Sequence, residues 1–487
     1  MDFSFCNSFH DSMEGFYAPA EAARPSAPKL LVFNHILAKT LGLDASHATE
    51  DQLARVFSGE DLPEGSNPLA FAYAGHQFGH FSPQLGDGRA LLLGEIVAPD
   101  GARLDIQFKG SGPTSFSRNG DGKAAIGPVL REYLVSEAMA AMEVPTTRSL
   151  AAVATGDRVQ RERTHVGAVL TRVASSHIRV GTFQFFAAHF GVDHVIQLSD
   201  YTINRHFPEL AEATNPHLAL LDRVIGLQCE LVARWMGVGF IHGVMNTDNV
   251  AVSGETLDYG PCAFMDRFAL NTVFSSIDAN GRYAYGRQPQ ITHWNMARFA
   301  EAMLPAIHAV DPADVGAAKA LVDAIPARFR AIWLDEMRAK LGLGQPNKDD
   351  EQLIDALFGE LEQHAVDFTS FFRALGQLLR GDGDKLRSLL PDAEAMAPWI
   401  ADWWAQLERE AIAPLERADA MDAANPLYIP RNHLVEAALV AAEAGDMAPW
   451  TELLEVVQNP YVERAEWAGF AQPAPIDADP YKTFCGT

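Results

Sequence analysis

Cysteine is scarce in this chain, with four in 487 residues: Cys6, Cys229, Cys262 and Cys485. They are too few and too scattered for a disulfide framework or a zinc cluster, so a reducing cytoplasm is the expected compartment. Long apolar runs are also missing. None approaches the roughly 20 residues that span a bilayer. The opening stretch MDFSFCNSFHDSMEGF has no basic start followed by an apolar core, so no export signal is expected. Positive charge is in short supply, 38 Lys and Arg against 63 Asp and Glu, a net −25. That balance disfavours nonspecific binding to nucleic acid or to an anionic membrane.

What is present is ordinary for a globular protein: 48% hydrophobic and 21% charged residues. The length suits one large core or two to three smaller ones. There is no internal repeat and no low-complexity tract. Residues 1–70 read as an N-terminal extension, with KLLVFNHILAKTLGL as an amphipathic helix and GEDLPEGSNP as a break. Residues 71–180 are strand-rich. RALLLGEIV and RLDIQFKGS flank the turn APDGA, which predicts a hairpin. Alternation in LDIQFK puts Leu104, Ile106 and Phe108 on one face and Asp105, Gln107 and Lys109 on the other. A helix is expected over about 124–143 and a strand in THVGAVLTRVA. Residues 181–390 turn helical, led by HLALLDRVIGLQCELVARWMGVG, with a small hairpin expected in NVAVSG and ETLDYG. Residues 391–487 form a helical C-terminal extension that carries Cys485. A strand-rich half followed by a helix-rich half is α+β and bilobal, the lobe plan of protein kinases with added helices at both ends.

The stretch FIHGVMNTDNVAVSGETLDYG, residues 240–260, is similar to the kinase catalytic loop and metal loop. His242 falls on the kinase His, Asn249 on the metal-binding Asn, and Asp258-Tyr259-Gly260 on D-F-G. The catalytic Asp is replaced by Val244, which accepts no proton. Asp248 stands immediately before Asn249. A carboxylate there can take a hydroxyl proton from a shifted angle or simply cap a turn. Asn249 and Asp258 are suitable oxygen ligands for a hard divalent cation.

Four further features bear on chemistry. Residues 101–180 hold eleven Lys or Arg against seven Asp or Glu, which suits a small polyanion, or patches paired with acidic residues elsewhere. Gly86, Gly88 and Arg89 in QLGDGRA, with Gly110, Gly112, Gly120 and Gly122 farther on, let backbone approach phosphate oxygens, and serve equally well in hairpin turns. Lys109 ends a strand, and Glu132 lies in the next helix, in the order of the kinase lysine and its glutamate partner; a surface ion pair fits the same spacing. Arg172 and Arg179 are seven apart, so they share a face if that segment is helical, either to clamp phosphate or to bridge the two halves. His76 and His80 in GHQFGH lack a third metal ligand, and the tryptophans of WIADWWAQL read as helix packing.

Taken together, FAYAGHQFGHFSPQLGDGRA, DIQFKGSGPTSFSRNGDGKA, PVLREYLVSEAM, RVASSHIRVGTF, HGVMNTDN and DYGPCAFMD closely resemble the selenoprotein O family, along nearly the whole chain. The resemblance implies a pseudokinase fold that transfers AMP from ATP, or UMP from UTP, to Ser, Thr or Tyr hydroxyls of protein substrates. It also implies that ATP is inverted relative to ordinary kinases. Carried over by motif, Lys109 contacts phosphates and Glu132 holds it. Gly86, Gly88, Arg89, Asp121, Gly122, Arg172, Arg179 and Asp258 would line the ATP site. Asp248 would be the proton acceptor, and Asn249 and Asp258 would bind Mg2+ or Mn2+. The family's C-terminal redox residue would be Cys485. The segment NTVFSSID lacks the partner cysteine of some bacterial relatives, which leaves Cys262 as the substitute for a disulfide. Two other readings stay open beside this one: a phosphotransferase using Asp248, and a nucleotide-binding scaffold without catalysis.

Overall fold

The computed structural model describes residues 2–392, 394–475, 479 and 481–484. Its strands, in chain order, are β1 (Tyr17–Pro19), β2 (Lys29–Phe33), β3 (Leu69–Phe71), β4 (Gly75–Gln77), β5 (His80–Ser82), β6 (Ala90–Val97), β7 (Arg103–Lys109), β8 (Ala124–Ala125), β9 (Arg148–Gln160), β10 (Thr164–Ala174), β11 (Phe240–Ile241) and β12 (Ala263–Phe264). The main sheet is antiparallel in the order β1-β3-β6-β7-β10-β9-β2, with β8 on β10. Helices predominate after residue 180, so the chain is mixed α and β, with strands gathered early and helices late.

The expected hairpin is β6–β7, closed where Ala98 donates its amide to the Ala102 carbonyl at 2.8 Å. THVGAVLTRVA is β10, and the helix expected over 124–143 runs Ile126–Ala141. KLLVFNHILAKTLGL divides differently from expectation. Its first five residues are β2, paired to β9 with Leu30 opposite Val153, and only His35–Thr40 is helical. Val32 and Phe33 suit a pleated surface, and Asn34 caps the short helix by accepting the Leu37 amide at 2.9 Å. NVAVSG and ETLDYG form no hairpin strands; a single bridge joins Val250 to Thr256.

Each face of the sheet is buried by different partners. On one face Leu91, Ile106, Phe108 and Val169 pack with Leu53 and Phe57 of the Glu50–Ser58 helix. On the other, Leu170 and Ala152 join Leu130 and Leu134 of Ile126–Ala141 in a core that continues through Val224 and Trp235 of the Pro216–Gly237 helix. Gln107 stands opposite Arg172, and Lys109 stands between Ala90 and Leu170. Two-residue periodicity therefore puts Gln107, Lys109 and Arg172 on the same face as that second core, ready to meet the loops that follow Pro216–Gly237. Trp399 and Trp403 are buried helix-packing residues, as their spacing suggests, with rings stacked 6.2 Å apart.

Candidate active site

A cavity of 350 Å3 opens where the sheet meets the loop 244–261. It is lined by Gly86, Gly88, Arg89, Lys109, Asp121, Gly122, Arg172, Arg179, Asp248, Asn249 and Asp258. Glu132 stands behind it, on the helix packed against β10.

Asp258 is the meeting point. Its backbone is left-handed (φ 66°), an unusual conformation for a non-glycine residue, which turns the carboxylate back toward the sheet. Oδ1 accepts from Lys109 Nζ at 2.8 Å and from the Arg172 guanidinium, and Oδ2 accepts from Arg179 at 2.8 Å. Lys109 and Arg172 also donate to the two oxygens of Glu132, Lys109 at 2.7 Å. Burial pushes the Asp258 carboxyl up, but Arg172, Lys109 and Arg179 outweigh it and hold the group well below the usual carboxylate range. Glu132 is lowered for the same reason, its burial outweighed by Arg172 and Lys109. Lys109, Arg172 and Arg179 thus face Asp258 and Glu132, with Asp87 3.6 Å from Arg179. All but Glu132 line the cavity.

Arg172 and Arg179 do not share a helix face. Arg172 lies in β10, while Arg179 is the residue before the Val180–His189 helix, and the two converge on Asp258 from separate elements. Both alternatives raised by the basic segment are realised. Lys109, Arg172 and Arg179 gather at the cavity, whereas Arg148 pairs with Glu137 and Lys123 with Asp157, each at 2.8–2.9 Å.

The two glycine-rich loops close on each other. Thr114 Oγ1 donates to the Asp87 carbonyl at 2.6 Å and Ser117 Oγ to the Gly88 carbonyl at 2.5 Å. Gly122 has φ +64°, and a Cβ there would overlap the Gly112 backbone. These glycines make a tight turn and also line the cavity. Asp121 is at the rim, bound to Arg161 at 2.9 Å.

Asp248 lies in the 3-10 turn Thr247–Asn249 and is only 8% exposed. Arg179 donates to its backbone carbonyl at 2.7 Å. Oδ2 receives one long contact, 3.5 Å from Gln77 Nε2, and Oδ1 is buried with no hydrogen-bond partner among the described residues. Burial pushes this carboxyl up to about 6. Val244 lines the same cavity and is apolar and 7% exposed. His242 is buried, with Nε2 at 3.1 Å from the Leu257 carbonyl, so it braces the loop.

Asn249 donates its amide nitrogen to the Val244 carbonyl at 2.9 Å, which leaves its side-chain oxygen as the end available for a ligand. Among the described residues no group of three or more His, Cys, Asp or Glu could hold a metal by itself. An amide oxygen and a carboxylate fit a cation that takes its remaining ligands from water and phosphate. On the β4–β5 hairpin His76 stands opposite Phe81 and His80 opposite Gln77, and His76 bonds Gln184 at 2.9 Å. Cys262 is a free, buried thiol, pushed up to about 12 by burial. Cys485 lies outside the described residues.

Sequence reasoning missed Asp87, Tyr73 and Gln77. Asp87 is buried 3.6 Å from Arg179, and the Tyr73 ring lies 4.7 Å beneath the same guanidinium. The one local signal was the placement of Asp87 between Gly86 and Gly88.

Convergent cations, a buried carboxylate with one oxygen unbonded and two oxygen-bearing side chains thus share one cavity. The family model described as protein adenylyltransferase SelO matches residues 1–458, and the chain belongs to that family. It is 77% identical over 487 residues to the protein nucleotidyltransferase YdiU of Sphingopyxis alaskensis, covering 100% of both chains. The like-named protein of Cereibacter sphaeroides is 54% identical over 489 residues, again with 100% of both covered. That of Agrobacterium fabrum is 50% identical over 488 residues, with 99% of each covered.

Proposed function

We propose that this protein is an adenylyltransferase of kinase-like, bilobal architecture that moves AMP from ATP to a hydroxyl side chain of a protein. The observation that carries the reading is the pairing of Asp248 with Val244. The position of the kinase base is apolar, while Asp248 lines the same cavity four residues later.

In this reading Asp248 takes the proton of the acceptor hydroxyl as its oxygen bonds to the α-phosphorus. The bond from that phosphorus to the oxygen bridging to the β-phosphate breaks, and pyrophosphate leaves. Lys109, Arg172 and Arg179 hold the β- and γ-phosphates and neutralise the leaving charge. Glu132 keeps Lys109 and Arg172 in position, and the loops 86–89 and 110–122 bring backbone close to the nucleotide. Asn249 and Asp258 would hold Mg2+ or Mn2+, which supplies charge neutralisation on the phosphate oxygens. The convergence of Lys109, Arg172 and Arg179 on one part of the cavity supports phosphates set there, with the α-phosphate toward Asp248.

The test is incubation with an acceptor protein and ATP labelled at the α- or the γ-phosphate. Label transferred from α alone is expected. Transfer from γ would mean phosphotransfer, and nucleotide binding with no transfer would mean a scaffold. UTP labelled at the α-phosphate, run in parallel, measures whether UMP is also moved.

A further inference from the structure

A second concavity of 460 Å3 has walls that include Phe78, Ile277, Asp278, Arg282, Arg287 and Trp294. One wall is the tip of the β4–β5 hairpin and the other is the segment 277–294. Both are tied to the turn that carries Asp248. Asn246 Oδ1 accepts the Phe78 amide at 3.0 Å from one wall and the Tyr283 hydroxyl at 2.6 Å from the other. His76 donates its amide to Thr247 Oγ1 at 2.8 Å, and Gln77 reaches Asp248 itself. Both walls of the groove are therefore anchored to the turn that carries Asp248.

Its chemistry is unusual for this chain. Arg282 lies 4.9 Å over the Trp294 ring and 5.7 Å over that of Tyr283, a stacking that fixes the guanidinium plane. Its Nε has no hydrogen-bond partner among the described residues. Arg287 is exposed, and its recorded hydrogen bond is a weak one, 3.4 Å to the Asn280 carbonyl. The nearby carboxylate of Asp278 is spent on the amides of Arg282 and Tyr283 at 2.8 and 2.7 Å. By contrast Arg298, across Trp294, is paired with Glu301 at 2.6 Å. Two arginines thus line one concavity whose own carboxylate, Asp278, is taken up by backbone amides, which leaves their charge available to an external anion. Between them the surface is apolar: Ile277 is 50% exposed, and Phe78 and Trp294 are half-buried.

We propose that this groove seats the acceptor polypeptide, and that it selects hydroxyl residues flanked by acidic and apolar side chains; the assignment rests on the adenylyltransfer reading above. A carboxylate of the acceptor pairs with Arg282 or Arg287, since a fixed guanidinium meets a carboxylate in bidentate fashion. An aliphatic or aromatic side chain settles among Phe78, Ile277 and Trp294. The hydroxyl residue then extends past Gln77 to Asp248. The protein's overall negative field is screened within about 10 Å at moderate salt, so the local pair of arginines governs selection.

The test measures fluorescence anisotropy of labelled peptides, each with one Ser and one Leu, flanked by Glu, by Asn or by Lys. The full chain is saturated with an ATP analogue that cannot release pyrophosphate. The Glu peptide is expected to bind at least 10-fold more tightly than the Lys peptide. Arg282→Glu and Arg287→Glu should each remove that preference and leave nucleotide affinity within about twofold. Arg287→Glu changes an exposed residue, so it keeps the test valid if the stacked Arg282 proves necessary for folding. Equal binding of the three peptides, a preference that survives Arg287→Glu and any folded Arg282→Glu, or displacement of the peptide by tripolyphosphate would each overturn the assignment. A second arm follows label from α-labelled ATP. Charge-selective binding without α-label transfer would overturn adenylyltransfer and leave the groove as a peptide site; α-label transfer indifferent to peptide charge would overturn the groove alone.

Discussion

At Asp248 a single side chain combines two opposed demands, being shielded from water and yet left without a full set of hydrogen bonds. Such a carboxylate is a better proton acceptor than an exposed one, because burial raises its affinity for the proton toward the working pH. Asp248→Asn keeps the volume and removes the base. It is expected to lower α-label transfer by about 10²–10⁴-fold, the range for general-base removal, with the nucleotide Kd changed less than about threefold. Titration calorimetry beside the transfer assay separates the two effects. Glu132 plays a different part, since it holds two buried cations that would otherwise lose a partner. Glu132→Gln should cost about 3–5 kcal/mol, the penalty for breaking a buried ion pair from one side. Urea unfolding at pH 7.5 reads that loss directly; a change under about 1 kcal/mol would mean that the pair is largely solvated.

Two elements are shaped by what they must not touch. The β4–β5 hairpin lies so close to the turn Thr247–Asn249 that a Cβ on Gly75 would fall within 2.9 Å of the Asp248 side chain. Gly75→Ala is therefore expected to push Asp248 aside and lower transfer at least 10-fold, while phosphate contacts from Lys109, Arg172 and Arg179 persist. Gly122 is the reverse case. Its left-handed backbone and its contact with Gly112 hold the loop in place at the cavity wall. Gly122→Ala should weaken ATP binding by about 10-fold or more, since the residue adds both a clash and a positive-φ cost of roughly 1 kcal/mol. A kinetic comparison checks the pair: Gly75→Ala should act mainly on kcat, and Gly122→Ala mainly on the KM for ATP.

For the whole molecule, the join between sheet and helices depends on a buried acid. Glu255 accepts from the Ser175 amide, at 3.1 Å, and from the hydroxyls of Ser175 and Ser253 at 3.0 and 2.8 Å. Burial outweighs these bonds and pushes its carboxyl up to about 7. Because the folded chain holds this proton more tightly than the unfolded chain, the contribution to stability is largest below the ordinary glutamate range and is lost as pH rises toward 7. Glu255→Gln should flatten that part of the Tm profile between pH 5 and 8, as read by calorimetry. An unchanged slope would place the titration elsewhere.

Much of this organisation was legible from local pattern. Alternation in LDIQFK, the Asp-Gly turn between β6 and β7, and the long apolar periodicity of residues 216–237 each encode one element through contacts between near neighbours. In KLLVFNHILAKTLGL the four consecutive apolar residues Leu30, Leu31, Val32 and Phe33 suit helix and strand alike, and pairing with the distant β9 decided between them. Residue types at the site were also visible: the basic run, the glycines, and Asp248-Asn249 beside a valine where a base was expected. Their arrangement was not. Arg172 and Arg179 meet at Asp258 only because a strand register and a helix start bring them there, and Asp87, Tyr73 and Gln77 join only through contacts across the fold. The sequence by itself determined which chemical groups exist and in what order along the chain. The tertiary structure decided which charges lose their water and which find partners, because burial and convergence are properties of segments distant in the chain and adjacent in space.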